Sequence, residues 1–296
     1  MRNLMELIKN NVLVAVSGGP DSMFLLNYAI KMYGSENIIV ATMNYNTRSQ
    51  SQKEVELVRT FCESNMIYFE LKSVKYTEKN GNFEDWARIE RYSFFSEVYK
   101  CHNCDLLLLG HHKDDFIETV LMQVEAKKQP LQWGMKKHNI LFGMNIYRPF
   151  LDKYWKFEIE NLANTNSIPY LVDESNFSDI YTRNKIRAKI SGWNIKEKEL
   201  FFEKYYSNLQ CENTQKTVEN EYEDWKKSEF SQDSFSKYTQ KKQLFFMFIH
   251  KHFLNIKLST KKLESIIQWY ISKNRTGKYL IKNNIWLIKK QGKLKH

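Results

Sequence analysis

The chain has 296 residues, 42% of them hydrophobic, which is enough for a main domain of about 150–200 residues and a smaller one. Its net charge of +11 admits a nucleic-acid partner, although abundant Lys, Asn, Ile, Tyr and Phe are equally what an AT-rich coding sequence yields. Four cysteines, Cys62, Cys101, Cys104 and Cys211, are too few and too irregularly spaced for a disulfide framework, so a reduced, cytoplasmic protein is expected. No apolar run approaches the length of a membrane span, and the first residues lack the pattern of a secretory signal.

In chain order, residues 12–16 (Val-Leu-Val-Ala-Val) form a continuous apolar run, as in a strand buried on both faces of a parallel sheet. Ser17-Gly18-Gly19-Pro20-Asp21-Ser22 follows at once; Met23, Leu26, Ala29 and Ile30 then recur at helical spacing up to Gly34. Strands are expected at 38–41, 67–71 and 106–109, and helices at 53–64, 84–100 and 114–124. This alternation predicts an α/β fold with a parallel sheet. In such sheets ligands sit beyond the carboxyl ends of the strands, where the two sharpest motifs lie, after residues 16 and 109. Beyond residue 190 glycines become rare. Residues 195–250 read as charged, aromatic helices, and Tyr279-Leu280-Ile281 with Ile285-Trp286-Leu287-Ile288 reads as a terminal hairpin around Lys282-Asn283-Asn284. The expected division is a domain at 1–200 and a smaller, mainly helical one with a β element at 201–296.

The first motif offers backbone N–H groups where two glycines remove steric bulk, at the positive end of a helix, and so makes an anion cradle. It lacks the Gly-Lys-Ser/Thr ending of a Walker loop and the spacing of a dinucleotide fingerprint. Asp21 would repel a bare phosphate, which implies a metal between them. The second motif, Gly110-His111-His112-Lys113-Asp114-Asp115-Phe116-Ile117-Glu118-Thr119, gathers titratable groups at a strand end. Asp115 and Glu118 share a helix face and suit a hard cation; the acidic turn also suits a helix dipole alone.

Two further stretches carry basic groups. Phe83-Glu84-Asp85-Trp86-Ala87-Arg88-Ile89-Glu90-Arg91-Tyr92 places Arg88 and Arg91 three apart, for phosphate contact or for surface pairing with Glu84 or Glu90. Arg148-Pro149-Phe150-Leu151, Ile168-Pro169-Tyr170, Asp173-Glu174-Ser175-Asn176 and Tyr181-Thr182-Arg183-Asn184-Lys185-Ile186-Arg187 complete the set. Only nine of the 45 basic residues are Arg, and five of them, Arg88, Arg91, Arg148, Arg183 and Arg187, fall in these motifs. In a lysine-rich chain that choice hints at a need for planar, forked donors.

The loop at Ser17–Ser22 resembles the signature of the PP-loop, or N-type, ATP pyrophosphatases, which cleave ATP between the α- and β-phosphates. The Gly-His-His-x-x-Asp-x-x-Glu-Thr pattern at 110–119 is similar to that of lysidine and 2-thiocytidine synthases, and the motifs of 148–187 resemble the lysidine synthases closely. In the thiocytidine enzymes a Cys-x-x-Cys stands where this chain has Phe83 and Trp86. Cys101 and Cys104 lie later and read as structural. Tyr45-Asn46-Thr47-Arg48 departs from the His-Gly-Leu-Arg-like element usual in the family.

The resemblance implies a Rossmann-like PP-loop domain that builds lysidine with ATP and Mg²⁺. Its partners would be a tRNA(Ile) with a CAU anticodon and free L-lysine, a homodimer being a further option; a 2-thiocytidine synthase is the alternative. It implies ATP binding by Ser17, Gly18, Gly19, Pro20, Asp21 and Ser22, and Mg²⁺ on Asp21 and Asp115. Catalysis would fall to Asp21, His111, Asp115, Glu118, Arg88 and Arg183, and tRNA or phosphate contacts to Arg91, Arg148, Asn184 and Arg187. The tail, with Lys241, Lys242, Phe245, Phe246, His250, Lys251, Lys261, Lys262, Trp269 and Lys278 interleaved, would bind tRNA.

Overall fold

The structure, a computed structural model, describes residues 10–46, 50–76, 83–126, 130, 133–172, 182–207, 212–253, 256, 258–282 and 285–295, with backbone alone at 182–184, 212–216 and 260. It divides into two compact units. The first comprises Met1–Met122 and Gly134–Phe202, the second Gln123–Trp133 and Glu203–His296.

The first unit is built on a six-stranded sheet of β1 (Asn11–Ala15), β2 (Ile38–Asn44), β3 (Tyr68–Ser73), β4 (Cys104–Leu108), β5 (His138–Leu141) and β6 (Met144–Tyr147), in the order β3-β2-β1-β4-β6-β5. All neighbours are parallel except the edge hairpin β5–β6. The strand alternation sorts the apolar residues onto two faces. Val12, Val14, Leu106 and Leu108 join one core with Met23, Leu26 and Ala29 of α1 (Pro20–Tyr33), Val58 of α2 (Ser51–Ser64) and Ile159 of α5 (Lys156–Thr165). Leu13, Ala41, Leu107 and Leu109 join the other with Tyr92, Phe94, Phe95 and Val98 of α3 (Phe83–Cys101). Both faces are therefore dry, which is why β1 reads as an uninterrupted apolar run.

The chain turns from β1 to β2 on one side and to β4 on the other, so the sheet order reverses at β1. The crevice at such a reversal is where ligands bind in open α/β sheets. The loop after β1 opens α1, and the loop after β4 opens α4 (Lys113–Glu125). Both chemical motifs are thereby delivered to one crevice. Helices α6 (Thr182–Ser191) and α7 (Ile195–Tyr206) follow.

The second unit contains α8 (Glu212–Lys227), α9 (Gln232–Lys237), α10 (Lys241–His252) and α11 (Thr260–Ile271), with an antiparallel sheet of β7 (Gly277–Lys282), β8 (Ile285–Lys290) and β9 (Lys293–Lys295). Its core is aromatic: Trp225 is fully buried and its ring meets Phe230, Phe235, Phe245, Phe248 and Tyr270. Phe245, expected among the RNA-facing aromatics, is instead wholly buried in this core, because α10 turns that face inward. The terminal hairpin carries a third strand, β9, and the Asn283-Asn284 turn lies outside the described residues.

Candidate active site

Ser17, Gly18 and Gly19 leave β1 and deliver the chain to the start of α1, with Gly19 at the helix cap and Pro20 in its first turn. Proline suits that place because its missing N–H has no partner in the helix. Gly18 sits at φ +90°, a left-handed conformation, and a Cβ there would lie 3.1 Å from Glu54; glycine is needed on both counts. The Ser22 hydroxyl folds the loop by accepting from Ser17 N at 3.1 Å and donating to Gly19 O at 3.0 Å. Leu171 N donates to Gly18 O at 3.0 Å and Gln50 Nε2 to Val172 O at 2.9 Å, so the segment before residue 173 is tied to the loop and to α2. Gly110 lets the β4 loop approach: a Cβ there would stand 3.0 Å from Asp21 O.

That approach brings the two motifs together. His112 is 4% exposed and stands among three carboxylates. Its Nε2 is 3.7 Å from Asp21 Oδ1 and 3.4 Å from Asp115 Oδ2, and its Nδ1 is 3.6 Å from Asp114 Oδ2. Burial opposes its charge, but Asp115, Asp21 and Asp114 outweigh it and hold the pKa up at about 9. Sequence reasoning placed no role on His112, because the two histidines of a His-His pair look alike until their surroundings are known.

Its neighbour His111 is the opposite case. Withdrawal from water pushes its pKa down to about 4; Asp115 acts against this, and Arg148 and His112 add to it. Arg148 Nε donates to His111 Nδ1 at 3.2 Å. A guanidinium N–H is always a donor, so Nδ1 is an acceptor and the ring carries its proton on Nε2. His111 therefore presents an N–H at the cleft. Arg148 itself is 5% exposed, and its Nη1 donates to Lys136 O at 2.7 Å and Asn139 Oδ1 at 2.6 Å. The expectation of a phosphate or tRNA contact at Arg148 is corrected here: β6 ends inside the unit, and the side chain is spent on His111 and on the segment leading to β5.

Glu118, 4% exposed, accepts from Arg187 Nε at 2.8 Å, which joins α6 to α4. Arg187 leaves half its surface in the cleft. Arg88 and Arg91 are exposed on α3. Arg88 lies 4.8 Å over the Tyr92 ring, and Arg91 Nε donates to Tyr45 OH at 3.0 Å. Tyr45 in turn donates to Ala87 O at 2.8 Å and packs edge-on against Phe83 and Trp86. The side chains of Arg183 and Asn184, and Thr47, Arg48 and the 173–181 stretch, lie outside the described residues.

Two clefts of the first unit meet along Ser17, Gly19, Asp21, Glu54, Asp115 and Arg187. The smaller, about 530 Å³, runs under the strand ends past Val16, Thr42, Met43 and Asn44 to His111, Arg88 and Arg91. The larger, about 640 Å³, is flanked by Glu118, Glu160, Phe157, Leu171 and Lys198. Neither is lined by a cysteine. Cys101 is exposed and Cys104 is buried in β4, where burial pushes its thiol up to about 12.

Asp21 Oδ1 is buried and accepts no hydrogen bond; His112 Nε2 stands 3.7 Å from it, beyond hydrogen-bond reach. A hard cation fits that oxygen and Asp115. Among the described residues no group of three or more His, Cys, Asp or Glu side chains is placed to hold a metal ion; Mg²⁺ needs only one or two carboxylates and completes its shell from phosphates and water.

The PP-loop domain family matches residues 1–192. The tRNA(Ile)-lysidine synthase of Mycoplasmopsis pulmonis (strain UAB CTIP) is 38% identical over 278 residues, covering 94% of this chain and 96% of that protein. The chain belongs to the tRNA(Ile)-lysidine synthases. The lysidine synthase of Mesomycoplasma hyopneumoniae (strain 232) is likewise 38% identical, over 97% of this chain and 95% of its own. Among solved structures, the U34-tRNA thiolase NcsA of Methanococcus maripaludis, with its four-iron, four-sulfur cluster, superposes with a TM-score of 0.55 at 18% identity, over 69% of this chain and 72% of that one; it shares the fold. The chain is thus an ATP-using PP-loop enzyme, and no described helix is long and apolar enough to cross a membrane.

Proposed function

We propose that the enzyme joins free L-lysine to C2 of the wobble cytidine in a tRNA(Ile) with a CAU anticodon, in the cytoplasm, at the junction of the two clefts. The observation that carries this reading is the junction itself. One phosphate-binding loop, three carboxylates (Asp21, Glu54 and Asp115) and Arg187 face both clefts, as a reaction between a nucleotide and a second, bulky substrate requires. The smaller cleft, under the ends of β1 and β2, is the place for ATP. The larger is lined by more carboxylates (Asp21, Glu54, Asp114, Asp115, Glu118 and Glu160) than cations (Lys156, Arg187, Lys198 and His112), a balance that suits a cationic amine.

In this reading the C2 carbonyl oxygen of cytidine attacks the α-phosphate and pyrophosphate leaves; the lysine ε-amine then bonds to C2 of the adenylated base, the C2–O bond breaks to release AMP, and the amine gives up a proton. A ring carbonyl oxygen is a poor leaving group until adenylated. Ser17 to Ser22 hold the phosphate oxygens through backbone N–H groups. The Nε2–H of His111 and the guanidinium groups of Arg88, Arg91 and Arg187 supply donors where charge develops. Asp21 and Asp115 would hold Mg²⁺, whose chemistry is to neutralise charge on phosphate oxygens. The second unit, with the lysine-rich tail, would bind tRNA at points away from the reacting base.

The test is Asp21→Ala. Labelled lysine should no longer enter tRNA in an ATP-dependent way, while circular dichroism and melting stay near those of the parent. A folded variant that still adenylates tRNA at near-normal rate would overturn the assignment.

A further inference from the structure

The last stretch of the chain is segregated in charge: residues 265–296 contain eight Lys or Arg and no Asp or Glu. The β7-β8-β9 sheet built from this stretch has two unlike faces. Ile281, Leu287 and Leu294 point into the aromatic core. The other face carries Lys278, Leu280, Trp286, Ile288, Lys290, Lys293 and Lys295 by alternation along the strands, and exposed Lys282 follows a register shift at the end of β7. Leu280 and Trp286 stand opposite each other in the β7–β8 register, and Lys278 and Lys295 flank Ile288 from either side. Trp286 is 46% exposed and Leu280 42%.

A buried contact anchors this sheet to α11 from behind. Lys289, on the inner side and fully buried, donates to Tyr270 O at 2.9 Å and Trp269 O at 3.1 Å, at the carboxyl end of α11. Arg275 grips Asp233 with both Nη atoms, at 2.9 and 2.7 Å. On the outer side, Lys293 and Lys295 pair with the exposed Glu229 at 3.1 and 3.7 Å, so their charge is already partnered. Lys278, Lys282 and Lys290 have no acidic partner among the described residues, so their charge faces outward around the Leu280–Trp286 pair.

We propose that the outer face of this sheet is an RNA-docking platform: Lys278, Lys282 and Lys290 meet backbone phosphates, and Trp286 stacks on an unpaired base. The inference rests on the tRNA reading above and locates one recognition surface for it. An exposed aromatic ring on the same sheet face as unpaired lysines matches the two surfaces that single-stranded RNA offers, a charged backbone and exposed base faces. A second copy of the chain is a poor occupant, since two-fold pairing of this face sets lysine against lysine.

The experiment uses the full chain and an unmodified tRNA(Ile) transcript. In filter binding, the Lys278→Gln, Lys282→Gln, Lys290→Gln triple variant should bind more weakly, with a log–log salt slope shallower by about two to three, near one per lost phosphate contact. Trp286→Ala should bind roughly 10-fold or more weakly. A fluorescent ATP analogue should bind both variants like the parent. tRNA should quench tryptophan fluorescence in the parent, and that fraction should vanish in Trp286→Phe. Unchanged tRNA affinity, slope and quenching in these variants would overturn the platform. So would a variant that loses self-association in light scattering with tRNA binding intact, which would make the face a homodimer contact. Failure of the parent itself to put lysine on tRNA would sink the functional reading while leaving the binding and quenching results to judge the surface.

Discussion

Arg148→Lys tests whether Arg148 sets the state of His111. The guanidinium reaches three acceptors from one buried point: His111 Nδ1 at 3.2 Å, Lys136 O at 2.7 Å and Asn139 Oδ1 at 2.6 Å. A lysine keeps the charge but ends in a single ammonium on a thinner stem, and it cannot serve His111 and the Lys136–Asn139 pair together. Hydrogen bonds to a charged group contribute about 1.5–3 kcal/mol each. Losing one or two of the three should cost about 2–4 kcal/mol. At roughly 2–4 °C per kcal/mol for a unit of this size, melting should fall by about 10 °C. His111 would then be free to carry its proton on Nδ1 and to turn, so lysine incorporation, measured well below the new melting point, should drop on the order of 10- to 100-fold, the scale seen when a partner that orients a histidine is removed. A variant that melts and turns over like the parent would refute the whole argument. One that is destabilised yet fully active would refute the claim about the tautomer.

The two histidines should also pull stability in opposite pH windows. His112, held up at about 9 by its carboxylates, contributes fully below its ordinary value near 6.5 and loses that contribution as pH rises through 9; His112→Asn should flatten the alkaline limb of melting temperature against pH, and an unaltered limb would contradict the reading. His111, pushed down to about 4, contributes above 6.5 and loses it as pH falls through 4, so His111→Asn should flatten the acid limb instead. Gly110→Ala would press a methyl against Asp21 O and should cost about 1–3 kcal/mol as overpacking, with weaker ATP binding in titration; tight binding in an unperturbed fold would mean that the two loops have slack. Tyr45→Phe removes the hydroxyl that accepts from Arg91 Nε. It should raise KM for ATP or for tRNA roughly two- to tenfold with kcat unchanged, and no change in either KM would show that Arg91 needs no support.

Much of this was legible in the sequence because it depended on local pattern. A run such as 12–16 suits a strand buried on both sides, and two motifs at strand ends of an alternating chain suit one ligand crevice. What was not legible depended on which way a side chain points. Arg148 reads like any arginine in a polar motif; only the turn of β6 into the unit makes it a support for His111. His111 and His112 are adjacent in sequence, yet one meets a guanidinium and the other three carboxylates. The β5–β6 hairpin was missed because His138–Leu141 and Met144–Tyr147 are four residues each, too short for alternation to register. Phe245 and Phe246 are neighbours on α10, one wholly buried and the other 40% exposed, a difference fixed by helix phase and not by composition.

The second unit is discontinuous in the chain, since it takes Gln123–Trp133 as well as Glu203–His296. No single cut can release it whole. A scission near residue 200 would run through α7 and leave eleven residues of the second unit on the first fragment. Insertions or circular permutation should be tolerated at surface turns within a unit and punished at residues 122–134, where the polypeptide leaves one folding unit and returns to it.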